Sequence, residues 1–223
     1  MRHRIVGELM TSAVVHVRPD TGFKAIAVLL AEHDITSVPV VDDQDRPLGL
    51  VSEADLLVNE AAEEDPSGLL LTPRLQPRDE LKSRATTAEG LMTSPAVCAR
   101  PEWTVVQAAR VMQGKGLKRL PVVDEAGRLV GIVSRSDLLR VFLRQDRAIR
   151  EEIRTEILAG VLGLPLDALD VKVEEGEVTL GGTVDHRSQL PVVERLCRGV
   201  DGVVGVVSYL AVRADETCTA HAG

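Results

Sequence analysis

The chain repeats itself. Displaced by 82 residues, the sequence falls on its own second copy without a gap. Leu9-Met10-Thr11-Ser12 lands on Leu91-Met92-Thr93-Ser94, and Arg18-Pro19 on Arg100-Pro101. Pro39-Val40-Val41-Asp42 lands on Pro121-Val122-Val123-Asp124. Gly49, Ser52 and Asp55-Leu56-Leu57 meet Gly131, Ser134 and Asp137-Leu138-Leu139. More than a third of the positions in 6–57 equal their counterparts in 88–139. That is a duplication, and a fold proposed for one copy must serve for both.

Each copy has the same coarse pattern. After Leu9-Met10 comes a short extended piece around Val14–Val17, matched near Val97. Pro19-Asp20-Thr21 predicts a turn and helix cap. Phe23, Ile26, Ala27 and Leu30 form an apolar stripe at helical spacing, matched by Val105, Ala108, Ala109 and Met112. Val38–Val41 and Leu48–Val51 are apolar runs around a polar turn from Asp42 to Arg46, which predicts two buried strands. A second helix starts at Ser52, so the order is β-α-β-β-α.

These copies resemble the cystathionine-β-synthase-type (CBS) domain, and together they resemble a CBS pair, or Bateman module. The first copy carries Ser37-Val38-Pro39-Val40-Val41-Asp42 with Gly49-Leu50-Val51-Ser52-Glu53-Ala54-Asp55. The second carries Arg119-Leu120-Pro121-Val122-Val123-Asp124 with Gly131-Ile132-Val133-Ser134-Arg135-Ser136-Asp137. Two such sets at identical internal spacing make the resemblance specific. It implies an α/β (α+β) fold with the repeats packed about a pseudo-twofold axis.

Ser-x-x-Asp at the start of the last helix in each copy has two readings. As plain structure it is a capping box, with the hydroxyl on a first-turn N–H and the carboxylate at the positive helix end. As chemistry, a helix N-terminus after a glycine-bearing strand attracts an anion, and a carboxylate accepts from the two hydroxyls of a ribose. The family resemblance implies the second use: Ser52 and Ser134 on the phosphate side, Asp55 and Asp137 on the ribose of an adenosine-containing ligand. It also implies that each cleft combines the Ser-x-x-Asp of one repeat with the approach to the Pro-Val-Val-Asp strand of the other. Those approaches supply Ser37, Val38 and Pro39, and Lys118, Arg119, Leu120 and Pro121. Backbone near Val14 and Val97 would border the adenine. The two clefts are chemically unequal, because Lys118 and Arg119 stand where the first copy has neutral Thr36 and Ser37. A guanidinium fork suits phosphate, so these two residues are expected to favour a charged tail such as that of AMP, ADP or ATP.

The expected domains are repeat 1 at 1–58, a linker at 59–87, repeat 2 at 88–144, a third domain at 145–213 and a disordered tail at 214–223. The linker carries Pro66, Pro73 and Pro77, which argue against one long helix, and Leu69-Leu70-Leu71, which could tack it to a neighbour. In the third domain Ile149, Ile153 and Ile157 recur at four-residue spacing with Leu158 and Val161, predicting an amphipathic helix. Val171-Lys172-Val173 and Val178-Thr179-Leu180 predict a hairpin across Glu174–Glu177. A helix follows from Leu190 to Arg198, with Pro191 in its first turn and Gly199 as its stop, and Val203–Val212 reads as a last strand. This α-β-β-α-β order, with Gly176-Glu177-Val178-Thr179-Leu180-Gly181-Gly182 and Gly202-Val203-Val204-Gly205-Val206, resembles a BON domain. The resemblance implies a phospholipid surface or a protein partner. From 147 to 213 stand 8 Lys/Arg against 11 Asp/Glu, a net of −3, which disfavours anionic lipid. A protein-interaction or intramolecular role is expected instead.

Composition narrows the function classes. Aromatic residues are 2% and the net charge is −8, which speaks against base stacking and against a phosphate backbone. No apolar run reaches membrane-spanning length and the start lacks a signal peptide, so a cytoplasmic protein is expected. The three cysteines and five histidines form no metal-ligand spacing. Nucleophile elbow, P-loop and dinucleotide fingerprint are all missing, and Asp185-His186 with Ser188 reads as a helix start. No catalytic residue, metal or required cofactor is expected. The resulting reading is a non-catalytic regulatory sensor with an adenine nucleotide as regulatory ligand, acting through homodimer packing of the CBS helices and through the BON domain. The alternatives are a protein-interaction or dimerisation module with vestigial clefts, or phospholipid-surface attachment through the BON domain.

Overall fold

The computed structural model describes residues 4–62 and 77–213. The expectations for Leu69–Leu71 and for a disordered tail at 214–223 lie outside the described residues. The chain divides into two compact units. One is Ile5–Asp137; the other runs from Leu138 onward and includes Arg4.

In the first unit the copies fold alike. A helical turn α1 (Val6–Leu9) leads to helix α2 (Phe23–Glu32), strands β1 (Ser37–Val41) and β2 (Pro47–Ser52), and helix α3 (Glu53–Ala61). A short linker helix α4 (Pro77–Lys82) follows. The second copy then gives α5 (Ala88–Leu91), α6 (Val105–Gly114), β3 (Arg119–Val123), β4 (Leu129–Ser134) and α7 (Arg135–Leu139). The β1–β2 and β3–β4 hairpins are antiparallel with matching registers, Ser37 opposite Ser52 and Arg119 opposite Ser134. Both slip by one residue at the same place, after Val40 and after Val122. The first expected strand of each copy is reduced to one parallel bridge, Val17 to Val40 and Ala99 to Val122.

The repeated Asp explains each hairpin turn. Asp42 Oδ1 accepts the backbone N–H of Arg46 at 2.8 Å and of Gln44 at 2.9 Å. Asp124 Oδ1 accepts that of Arg128 at 2.8 Å. The Arg46 N–H holds the Asp42 carboxyl below its ordinary range. Between acceptor and donor the chain passes through positive φ, at Asp45 (59°) and Gly127 (79°).

The repeats exchange their entry segments. Val6 N donates to Trp103 O and Gly7 N to Pro101 O, both at 2.8 Å. Reciprocally, Ala88 N donates to Thr21 O at 2.8 Å and Glu89 N to Pro19 O at 2.9 Å. Ala88 and Leu91 of the second copy are therefore buried with Ile26, Val38, Val40 and Val51 of the first. Met10 packs over Gly131 and Met92 over Gly49, where a β-carbon would collide. The duplicated glycines are thus contact points between the halves.

Two local expectations are corrected. The cap of α2 is Gly22, without a side-chain bond, because the Thr21 hydroxyl instead accepts the Arg18 N–H at 3.1 Å. The equivalent of Gly22 is Thr104, which closes a full capping box with Gln107. Ala109, placed on the apolar stripe of α6, is exposed.

The second unit takes in the last residues of α7 and a 3₁₀ turn (Arg140–Leu143), then α8 (Asp146–Glu152) continued by a π-helical stretch (Ile153–Val161). Strands β5 (Leu169–Glu174) and β6 (Glu177–Val184) form the hairpin, followed by α9 (Gln189–Arg198) and β7 (Gly205–Val212). The sheet order is β5-β6-β7, with β6 and β7 parallel as the α9 crossover requires. Ile149, Ile153, Ile157 and Leu158 join Val178, Leu180, Val193 and Cys197 in one core. Val161, expected on the stripe, is 54% exposed. In an i→i+5 turn the next residue over Ile157 is Leu162, and it is Leu162 that packs on the core. At the β5–β6 turn, Glu175 and Gly176 both have positive φ, and their N–H groups donate to the Asp146 carboxylate at 2.8 and 2.9 Å. Pro191 lies in the first turn of α9 and Gly199 is its C-cap.

Candidate functional site

The crossed entry segments create the candidate site. Thr11 and Ile132 exchange backbone hydrogen bonds at 2.9 and 3.0 Å, and their counterparts Thr93 and Leu50 do so at 2.8 and 3.1 Å. Each entry segment thus runs along the hairpin of the other repeat and leaves a cleft beside the first turn of the following helix. The first cleft is open, with a cavity of about 200 Å³. The first repeat lines it with Thr11, Ala13, Val14, Val15, Ile35 and Ser37. From the second repeat come Arg119, Ile132, Ser134 and Asp137.

At its polar end Ser134 and Asp137 form a closed pair. Asp137 Oδ2 accepts Ser134 N at 2.9 Å and Ser134 Oγ at 2.6 Å, while Asp137 N donates to Ser134 Oγ at 3.2 Å. Ser52 and Asp55 repeat this motif at 2.8, 2.6 and 3.4 Å. The capping box is therefore formed in both copies, and at Asp137 the same carboxylate borders a cavity. Arg119 brings the positive charge, but not where expected: instead of joining Ser52 and Asp55 of the other repeat it lines the cavity with Ser134 and Asp137 of its own, because its Nη1 reaches across to donate to Ser37 Oγ at 2.8 Å.

The other expected residues separate by role. Val38, Pro39, Leu120 and Pro121 are buried strand residues, and Val38 and Leu120 are wholly so. They build the wall from behind. Lys118, paired with Arg119 in the expectation of a charged tail, is exposed and outside the cavity lining. Val97 and Ser52 are outside this lining and are the counterparts, in the duplication, of Val15 and Ser134.

At the second cleft the linker also contributes. Lys82 at the end of α4 forms an ion pair with Asp55, and its Nζ also donates to Thr93 Oγ1 at 2.9 Å. The side chains of the pair are only 6% and 13% exposed. Thr93 and Asp55 are the counterparts of Thr11 and Asp137, two lining residues of the open cavity. Lys82 lies outside the duplicated segment, and no periodicity or motif in the linker points to it.

Comparison with known proteins identifies the repeats and the C-terminal segment. The CBS domain family matches residues 6–61 and 88–144. The chain is a CBS-domain protein. A BON domain matches residues 145–214 at its C-terminal end. An uncharacterized protein from Methanopyrus kandleri is 30% identical over 155 residues, covering 69% of this CBS protein and 70% of the relative. The chloroplastic CBS domain-containing protein CBSX2 of Arabidopsis thaliana is 31% identical over 154 residues, covering 64% of this chain and 65% of that one. The crystal structure of CBSX2 in complex with AMP superposes with a TM-score of 0.53 at 32% identity, covering 62% of this chain and 96% of the other. Among the described residues no group of His, Cys, Asp and Glu could hold a metal ion. None of the helices described is long and apolar enough to cross a membrane.

Proposed function

We propose that this CBS-domain protein is a non-catalytic regulatory sensor that binds an adenosine-containing nucleotide in the cleft between its repeats. The observation that carries the reading is the cavity in which Ser134 and Asp137 of one repeat meet Val14, Ile35 and Ser37 of the other. Asp137 accepts from the ribose hydroxyls, Ser134 and Arg119 face the phosphate, and Val14, Val15 and Ile35 flank the base. The apolar flank and single polar end suit a ligand with one flat and one charged end. The CBSX2 structure with AMP supports adenine nucleotides as the ligand class.

The sensor acts by favouring one arrangement of the repeats or of the BON domain, which requires unequal affinity for the two. Leu57 and its counterpart Leu139 are 63% and 61% exposed, which supports homodimer packing through these helices. Strand β7 is paired on one side only and exposes Val207 and Tyr209, which supports a protein partner at the BON domain. Isothermal calorimetry with AMP, ADP, ATP, NAD and S-adenosylmethionine tests the reading. Binding by at least one of them, abolished by Asp137→Ala, is expected. Folded protein that gives no heat with any would sink it and leave the dimerisation module, which light scattering then tests.

A further inference from the structure

We infer that Lys82 of the linker plugs the second cleft, so that each chain takes one nucleotide rather than two. The inference rests on the nucleotide reading above and deepens it. In the open cleft, Thr11 and Asp137 face a cavity. In the other, the equivalent Thr93 and Asp55 face the Lys82 ammonium. An ionised carboxylate offers about four lone-pair positions. At Asp55, Oδ2 takes the Ser52 N–H and hydroxyl, at 2.8 and 2.6 Å, and Oδ1 takes Lys82 and the Thr93 hydroxyl. The acceptor positions that two ribose hydroxyls require are therefore filled, and the space beside them holds a buried cation.

The plug is anchored from both sides. Ala85 N donates to Lys82 O at 3.0 Å, closing the chain into a turn directly after α4. Phe23 N then donates to Thr86 O at 2.8 Å, and Gly22 bridges Thr87. The linker end is thus tied to the start of α2, and Lys82 can leave Asp55 only if that tie or its own side chain rearranges.

Two experiments on the full chain test this. Calorimetric titration with AMP is expected to give one equivalent for the natural sequence and none for Asp137→Ala. Lys82→Ser, which leaves a hydroxyl for Asp55, is expected to give two, and Lys82→Ser with Asp137→Ala one. Two equivalents in the natural chain, or an unchanged single equivalent in Lys82→Ser, would overturn the plug while leaving nucleotide binding intact. No heat in any protein overturns the nucleotide reading and the plug with it. The second experiment needs no variant: acylation by an acetyl succinimidyl ester, read by peptide mass spectrometry. Exposed Lys24 and Lys118 are expected to label while Lys82 stays protected, with and without saturating AMP. Labelling of Lys82 in either state overturns the plug.

Discussion

Arg119 Nη1 donates to Ser37 Oγ at 2.8 Å, and these two residues occupy the same position in the two repeats, 82 residues apart. Residues exchanged by a twofold operation can bond to each other only where they straddle its axis. The pair therefore marks the axis between the clefts. Its asymmetry, a guanidinium on one side and a hydroxyl on the other, is set by the divergence of Ser37 and Arg119 within strands of matching register. The positive charge is held beside the open cavity by a hydrogen bond that costs the guanidinium only one of its five donors.

That geometry predicts a ligand-dependent loss in Arg119→Ala. Hydrogen bonds to charged groups contribute about 1.5–3 kcal/mol, so AMP affinity should fall by about 10- to 150-fold. Adenosine, without phosphate, should lose far less. Equal losses for the two in calorimetric titration would show that Arg119 shapes the wall and does not meet the phosphate.

Asp55→Ala should be strongly destabilising, because it leaves the buried Lys82 ammonium without its carboxylate. Breaking such a pair from one side typically costs about 3–5 kcal/mol. Asp55→Ala with Lys82→Ala removes both charges and should recover much of that loss. Urea denaturation of the two singles and the double gives the coupling energy. Additive losses would mean that the ion pair contributes nothing beyond its two side chains.

Gly49→Ala tests the contact between the halves. A β-carbon there would lie 2.7 Å from Met92 Sδ and 2.8 Å from Thr93 O. The methionine can move, but the carbonyl is fixed by its bond from Leu50 N. Overpacking of this kind costs about 1–3 kcal/mol. The midpoint of chemical denaturation should fall accordingly, and an unchanged midpoint would mean that the entry segment is looser than its hydrogen bonds imply.

Much of this arrangement was legible before any coordinates, and the reasons differ by residue. The duplication made Ser134, Asp137, Ser37 and Val14 candidates together, since family resemblance pairs the motif of one repeat with the strand approach of the other. Periodicity located α2, β1 and β2 because their apolar residues Ile26, Leu30, Val38, Val40 and Val51 are buried in one core. It failed at Val161, because a π-helical turn carries no residue signature and shifts the buried position to Leu162. Charge alone could not separate Lys118 from Arg119. Adjacent residues at a strand start point apart, and only Arg119 turns inward. Lys82 escaped altogether. Its partner Asp55 is 27 residues away through a linker without pattern, so only tertiary structure joins them.

The last prediction concerns alkaline pH. Cys197 is fully buried in the core of the BON domain, and burial, aided by Glu194, pushes its thiol from an ordinary value near 9 up to about 11. The unfolded chain therefore loses this proton at lower pH than the folded one. Between about 9 and 11 the native state binds more protons than the unfolded state, so stability falls as pH rises through that window. Below pH 9 the thiol is protonated in both states and contributes no slope. A folded pKa two units higher corresponds to at most about 2.7 kcal/mol, lost across the window. Comparing Cys197→Ala with the natural chain isolates this contribution, because alanine removes the titration while other groups remain. The variant should start less stable at pH 8, through lost packing, and the gap between the two should narrow as pH approaches 11. Parallel stability curves from pH 8 to 11 would show that the thiol ionises as readily folded as unfolded.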